Sequence, residues 1–155
     1  MHSIWTVGPA KSEDLPEIFA LLQECDLPEE GLAPHLSTTL VARKEQEIVG
    51  CAALELYQQF ALLRSVAVKS DFRKQGIASR LTRAALDLAK ECHVTNAFLL
   101  TETARTFFSK RGFVQVSRSD VPENVKQSVE FTTLCPDTCT VMMKSLVNPT
   151  DSKHL

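Results

Sequence analysis

The sequence predicts an α+β domain built on a mixed sheet, and three observations point there. Residues 39–68 read as successive strands separated by short turns, the pattern of an antiparallel meander. Leu62 to Ser79, LLRSVAVKSDFRKQGIAS, then passes from a strand through a glycine-containing turn into a helix. Short strands and helical stretches alternate after that. The 155 residues, 44% hydrophobic, suit one compact domain over 1–147, with 148–155 a frayed tail. No Pro/Gly/Ser-rich linker, internal repeat or low-complexity segment divides them.

In chain order, Ile4–Val7 is a short first strand. Asp14 followed by Glu17 has the spacing of a capping box, opening a helix with Leu15, Ile18, Phe19 and Leu22 on one face. Leu27–Ser37 is irregular or a short helix. Thr39–Lys44, Glu47–Leu56 and Phe60–Val68 form the meander, turning at Glu45-Gln46 and Tyr57-Gln58-Gln59. Ile77, Leu81, Ala84, Ala85 and Leu88 then recur at three and four, one apolar stripe on a helix reaching about Cys92. Asn96–Leu100 is a strand, and Ala104–Arg111 a helix stopped at Gly112, where a left-handed conformation suits glycine. Val114–Ser117 and Thr140–Leu146 complete the strands, with Pro122–Ser128 a short helix between them.

The strand–turn–helix junction has the chemistry of a phosphate site. The first turn of a helix carries N–H groups without intrahelical acceptors and the positive end of the dipole, so Arg73-Lys74-Gln75-Gly76-Ile77-Ala78 can wrap a pyrophosphate in donors. Gly76 lets the backbone approach, and Arg73 and Lys74 add charge. The segment contains neither G-x-G-x-x-G nor G-x-x-x-x-G-K-[ST], which argues against dinucleotide and nucleoside triphosphate sites.

A net charge of −2 gives no electrostatic reason to expect nucleic acid or an anionic membrane as partner. No apolar run approaches a membrane span and the first residues lack a signal peptide's pattern, so a cytoplasmic protein is expected. Five cysteines without an export signal argue against a disulfide framework. Cys25, Cys51 and Cys92 read as buried thiols. Cys135 and Cys139 lack the usual zinc spacing and a second ligand pair, so no metal is expected.

Arg73, Gly76 and Ala78, placed after Val66-Ala67-Val68, fill the pattern [RQ]-x-x-G-x-[GA] and resemble the coenzyme A loop of the GNAT N-acetyltransferases. Thr101 to Phe113 resembles that family's N-x-x-A-x-x-x-Y-x-x-x-G-F segment, with Ala104, Gly112 and Phe113 in agreement. Thr101 stands at the asparagine position and Phe108 at the tyrosine. That tyrosine protonates the departing thiolate in many relatives, and phenylalanine has no proton to give. Leu62–Ser65, Leu99–Ala104 with Phe107-Phe108, Glu130-Phe131 and Leu134–Pro136 look like the arsenic-operon-associated N-acetyltransferases, themselves similar to the acetyltransferase domain of N-acetylglutamate synthase.

The resemblance implies a mixed sheet of about seven strands flanked by helices, with splayed middle strands, and acetyl-coenzyme A as cofactor. Val66, Ala67 and Val68 would lie along the pantetheine arm, Arg73 to Ser79 (with Lys74, Gln75, Gly76, Ile77 and Ala78) on the pyrophosphate, and Thr101, Ala104, Phe107 and Phe108 at the thioester end. The Val66 N–H is the oxyanion donor it suggests. The implied substrate is a small amine, an anionic amino acid such as glutamate or an arsenical or phosphinate analogue. A homodimer stays open, and so do a protein, polyamine or drug amine as acceptor and a coenzyme A sensor without catalysis.

Each remaining candidate has two readings. Arg64, in an otherwise apolar strand, either binds a carboxylate from an exposed cleft or holds a structural ion pair. Glu55 is a general base or a solvated strand-end carboxylate, and Glu102 a second base or surface. Glu130 and Cys135 enter as substrate contacts through the resemblance alone. Cys135 reads as packing or as a thiolate for trivalent arsenic.

Overall fold

A computed structural model describes residues 4–134 and 138–147. Seven strands form one mixed sheet in the order β1-β2-β3-β4-β5-β7-β6. They are β1 (Thr6–Pro9), β2 (Thr39–Lys44), β3 (Glu47–Tyr57), β4 (Phe60–Val68), β5 (Asn96–Thr101), β6 (Val114–Val116) and β7 (Thr140–Ser145). The helices are α1 (Leu15–Glu24), α2 (Ile77–Glu91), α3 (Arg105–Ser109) and α4 (Glu123–Lys126). The chain divides into two compact units, Met1–Glu55 with Leu63–Leu88, and Leu56–Leu62 with Ala89–Leu155.

In the first unit β1 pairs antiparallel with β2, and β2 with β3. Ile18, Leu21 and Leu22 of α1 pack with Leu32, Val41 and Ile48 in one core cluster. The helical period predicted for α1 is therefore realised, but its capping is different. Asp14 Oδ2 accepts the Lys11 N–H (2.8 Å) and pairs with Arg43, while Glu17 Oε2 accepts the Ile48 N–H (2.8 Å) of β3. The Lys11 bond closes the helical turn before α1, and the contacts to Arg43 and Ile48 are tertiary ones that a local capping box cannot supply. Burial opposes ionisation at Asp14, but the Lys11 N–H and Arg43 outweigh it and hold its carboxyl below the usual range.

Gly50, inside β3, explains how closely α2 approaches. A Cβ there would stand 2.9 Å from Leu81 Cδ1, 3.0 Å from Ile77 Cγ2 and 3.1 Å from the Ala67 carbonyl oxygen. A glycine within a strand pattern signals such an approach.

In the second unit the register of β4 with β5 is parallel and comprises Phe60↔Asn96, Ala61↔Ala97 and Leu62↔Phe98. β7 lies antiparallel between β5 and β6, so the last strand inserts rather than adding at the edge. Leu62, Phe98, Val121, Val125 and Val141 form a core cluster. The sequence did not reveal the wide helical turn Glu130–Leu134. No helix among the described residues is long and apolar enough to cross a membrane.

Candidate active site

Beyond the last residue of β4, the Lys69 N–H donates to the Val49 carbonyl (2.8 Å) and Ser70–Phe72 make one tight helical turn. Arg73 is extended, and Lys74 (φ 67°) and Gly76 (φ 84°) are both left-handed. This lays Arg73, Lys74, Gln75 and Gly76 out as a continuous exposed stretch. The first helical bond of α2 runs from the Arg80 N–H to the Gly76 carbonyl (3.0 Å), so the amides ahead of it stand at the open helix start. A Cβ on Gly76 would meet nothing within 4 Å, so its side of the turn is open space. The arrangement can receive an anion on backbone donors, with the helix dipole behind it.

Of the two cations expected to add charge at this turn, Lys74 is exposed and Arg73 has partners within the protein. Arg73 Nε donates to the Val68 carbonyl (3.1 Å) and Nη2 lies 3.6 Å from Cys25 Sγ, so this guanidinium braces the turn against the end of β4 and of α1. Lys69, just before the turn, pairs with Glu47 (2.5 Å), whose hydrogen bond raises the ammonium pKa.

In mid-β4 the structure corrects the picture of an exposed Arg64. Its side chain is 0% exposed and that of Glu55 is 1% exposed, with Arg64 Nη1 donating to Glu55 Oε2 at 2.9 Å. Nε donates to Ser65 Oγ (3.0 Å), and Nη2 donates to the carbonyls of Glu30 (2.9 Å) and Pro28 (3.3 Å). Two residues with separate expected roles are thus joined in one buried pair, and Glu55 is not a solvated strand-end carboxylate. Ser65 itself is left-handed (φ 59°) within the strand, and its carbonyl accepts from Cys51 Sγ (3.1 Å). No residue pattern announced that conformation. Burial pushes the Cys51 thiol up to about 12, with nearby Cys25 adding to the rise. Cys51 is buried as expected, whereas Cys25 and Cys92 are half-buried. Val66 is half-buried, and Ala67 and Val68 are buried.

In the second unit Thr101 is buried and its Oγ1 accepts the Ala104 N–H (2.9 Å), capping the turn into α3. Glu102 is exposed. Phe108 is buried, edge-on to Phe107 (5.0 Å) and Phe113 (5.7 Å), and Phe107 carries the Arg111 guanidinium 3.5 Å from its ring centroid. Both rings therefore have a packing role. Glu130 is buried, and its N–H donates to Ser128 Oγ (3.2 Å). Cys135 lies outside the described residues. Among the described residues no group of three or more His, Cys, Asp or Glu side chains is placed to hold a metal.

Residues 35–115, which include β2 to β5, the glycine turn and α3, match the acetyltransferase (GNAT) domain. The chain belongs to the GNAT acetyltransferase family. This GNAT chain is 29% identical over 97 residues to an uncharacterized N-acetyltransferase of Chlorobaculum tepidum, covering 62% of each chain. It is 26% identical over 129 residues to the amino-acid acetyltransferase of Neisseria meningitidis serogroup A, covering 76% of this chain and 29% of the other. It thus spans less than two thirds of the length of either relative. The fold is similar to N-acetylglutamate synthase from Neisseria gonorrhoeae, complexed with coenzyme A and N-acetyl-glutamate, with TM-score 0.80 and 22% identity over 96% of this chain and 36% of that one. It is also similar to Rv2747 from Mycobacterium tuberculosis in complex with CoA, with TM-score 0.77 and 22% identity over 92% of this chain and 99% of that one.

Proposed function

We propose that this GNAT protein is an acetyl-coenzyme A-dependent N-acetyltransferase acting on the amino group of a small amino acid or amino-acid analogue. The observation that carries the reading is the exposed turn Arg73–Gly76 opening onto the start of α2, with left-handed Lys74 and Gly76 clearing the approach to its amides. Arg73 to Ser79 would hold the pyrophosphate, and Val66, Ala67 and Val68 would lie along the pantetheine arm. The amino-acid acceptor is supported by the likeness to the meningococcal amino-acid acetyltransferase. A glutamate-like substrate or an arsenical or phosphinate analogue falls within that class. Thr101, Ala104, Phe107, Phe108 and Glu130 enter this reading through the family resemblance.

Such a site works by position. The amine nitrogen attacks the thioester carbon, a carbon–nitrogen bond forms, and the carbon–sulfur bond breaks to release the thiolate. The Val66 N–H would meet the oxyanion. The ammonium proton must leave before attack, and exposed Glu102 or water takes it on this reading. Phe108 cannot protonate the thiolate, so the proton that the nitrogen sheds from the tetrahedral adduct reaches it through water.

A thiol-release screen with acetyl-coenzyme A over amino acids, arsenical and phosphinate analogues, polyamines and peptides tests the proposal. Turnover with an α-amino acid is expected. Release with polyamines or peptides alone would move the acceptor to another class. Coenzyme A binding without release across the whole screen would favour a sensor.

A further inference from the structure

Left-handed backbone is costly for an L-residue with a side chain, and in a strand it persists only where the surroundings impose it. Ser65 is such a residue, and its hydroxyl and carbonyl are both engaged: Oγ by Arg64 Nε, and the carbonyl by Cys51 Sγ. Every nitrogen of the Arg64 guanidinium donates, and its remaining donors go to Glu55 and to the carbonyls of Pro28 and Glu30, between α1 and the helical turn Ala33–Thr38. One planar cation therefore joins the end of β3, the kink in β4 and the 28–30 backbone. A buried charge needs its counter-ion, so Glu55 keeps the guanidinium in place. Lysine has one nitrogen and could not serve these acceptors from one plane. The left-handed residue also turns the next peptide plane, and the next residue is Val66.

We infer that Arg64 and Glu55 are positioning residues, a clamp that imposes the kink at Ser65 and thereby aims the Val66 N–H, while the same guanidinium fixes the 28–30 backbone. The inference rests on the proposed acetyl transfer, in which Val66 faces the oxyanion. It gives Arg64 a role in turnover without contact to substrate, and it takes Glu55 out of proton transfer.

The test uses Arg64→Lys and, in case that variant folds poorly, Ser65→Ala, which removes only the hydroxyl acceptor and leaves the ion pair. Steady-state kinetics, calorimetric coenzyme A binding and amide hydrogen exchange are measured against the parent chain. The clamp predicts kcat lowered about 100-fold in Arg64→Lys and about ten-fold in Ser65→Ala, with the amine KM and coenzyme A affinity within about three-fold of the parent. Adding Ser65→Gly to Arg64→Lys should restore part of kcat, because glycine adopts the left-handed conformation unaided. Amide exchange at Val66 and at 30–32 should quicken at least about ten-fold in both single variants, a readout that needs no turnover and so separates the clamp from the acetyltransferase proposal. A raised amine KM at unchanged kcat would overturn the clamp and make Arg64 a carboxylate reader, and parental exchange at Val66 in a folded variant would overturn it as well.

Discussion

The middle of β4 and the turn beyond its end contain the same ingredients, an arginine beside a non-glycine residue in left-handed backbone, yet use them in opposite ways. Arg64 and Ser65 are buried, and the guanidinium is consumed by Glu55, Ser65 and two carbonyls. Arg73 and Lys74 are exposed, and the amides they precede stand at a helix start. Donors removed from water must find partners within the protein, because an unmatched buried charge is too costly. Donors at an exposed helix start can wait in water and exchange it for a ligand. Solvent access, more than residue type, separates an arginine consumed in the core from one that braces an exposed turn through the Val68 carbonyl.

The largest effect should come from the exposed end. Gly76→Asp puts a carboxylate against the anion site and a side chain on a residue at φ 84°. Coenzyme A affinity should fall at least about 100-fold, or about 2.7 kcal/mol, while circular dichroism and the melting cooperativity stay parental. Calorimetry checks this, and an unchanged affinity in a folded variant would remove the loop assignment.

Gly50→Val probes the buried side, where a Cβ already meets Leu81, Ile77 and the Ala67 carbonyl. Overpacking should cost about 1–3 kcal/mol, read in denaturant unfolding. A stability equal to the parent would show that α2 can move away without penalty.

Arg73→Ala should weaken coenzyme A about ten-fold, or about 1.4 kcal/mol, less than Gly76→Asp because the amide donors remain. A loss as large as that of Gly76→Asp would mean that the bracing of Val68 by Arg73 holds the whole turn.

The smallest effect concerns the pair of half-buried Arg43 and buried Asp14, with 28% and 8% side-chain exposure. The Asp14 carboxyl is held below its ordinary value of 3.8, so its ionised form contributes stability that is present above that value and lost as pH falls through the folded pKa. Asp14→Asn should therefore melt a few degrees below the parent at pH 7, and the gap should close below about pH 4. A gap that persists in acid would assign the effect to packing instead.

The strands of the meander and the stripe of α2 were legible because alternation and the 3.6-residue period follow directly from one-sided burial. The glycine turn was legible because its geometry demands a residue type at Gly76. Arg64 could be singled out as a charge in an apolar strand, but its partners come from residues 28, 30 and 55, and pairing over such separations leaves no local pattern. The left-handed Ser65 was illegible for the same reason, since serine has no preference for that conformation and the surroundings impose it. Asp14 and Glu17 show the converse, a capping-box spacing whose carboxylates go to Arg43 and Ile48 instead.

The central claim, that the amides ahead of α2 receive a pyrophosphate, is tested most directly by calorimetric titrations of the parent chain and of Gly76→Asp with coenzyme A and with pantetheine. Pantetheine lacks the pyrophosphate and the adenosine 3′-phosphate beyond it. Coenzyme A should bind the parent at least about 100-fold more tightly, and the preference should be lost in the variant. Equal affinities for the two in the parent chain, or a preference kept in the folded variant, would contradict the assignment.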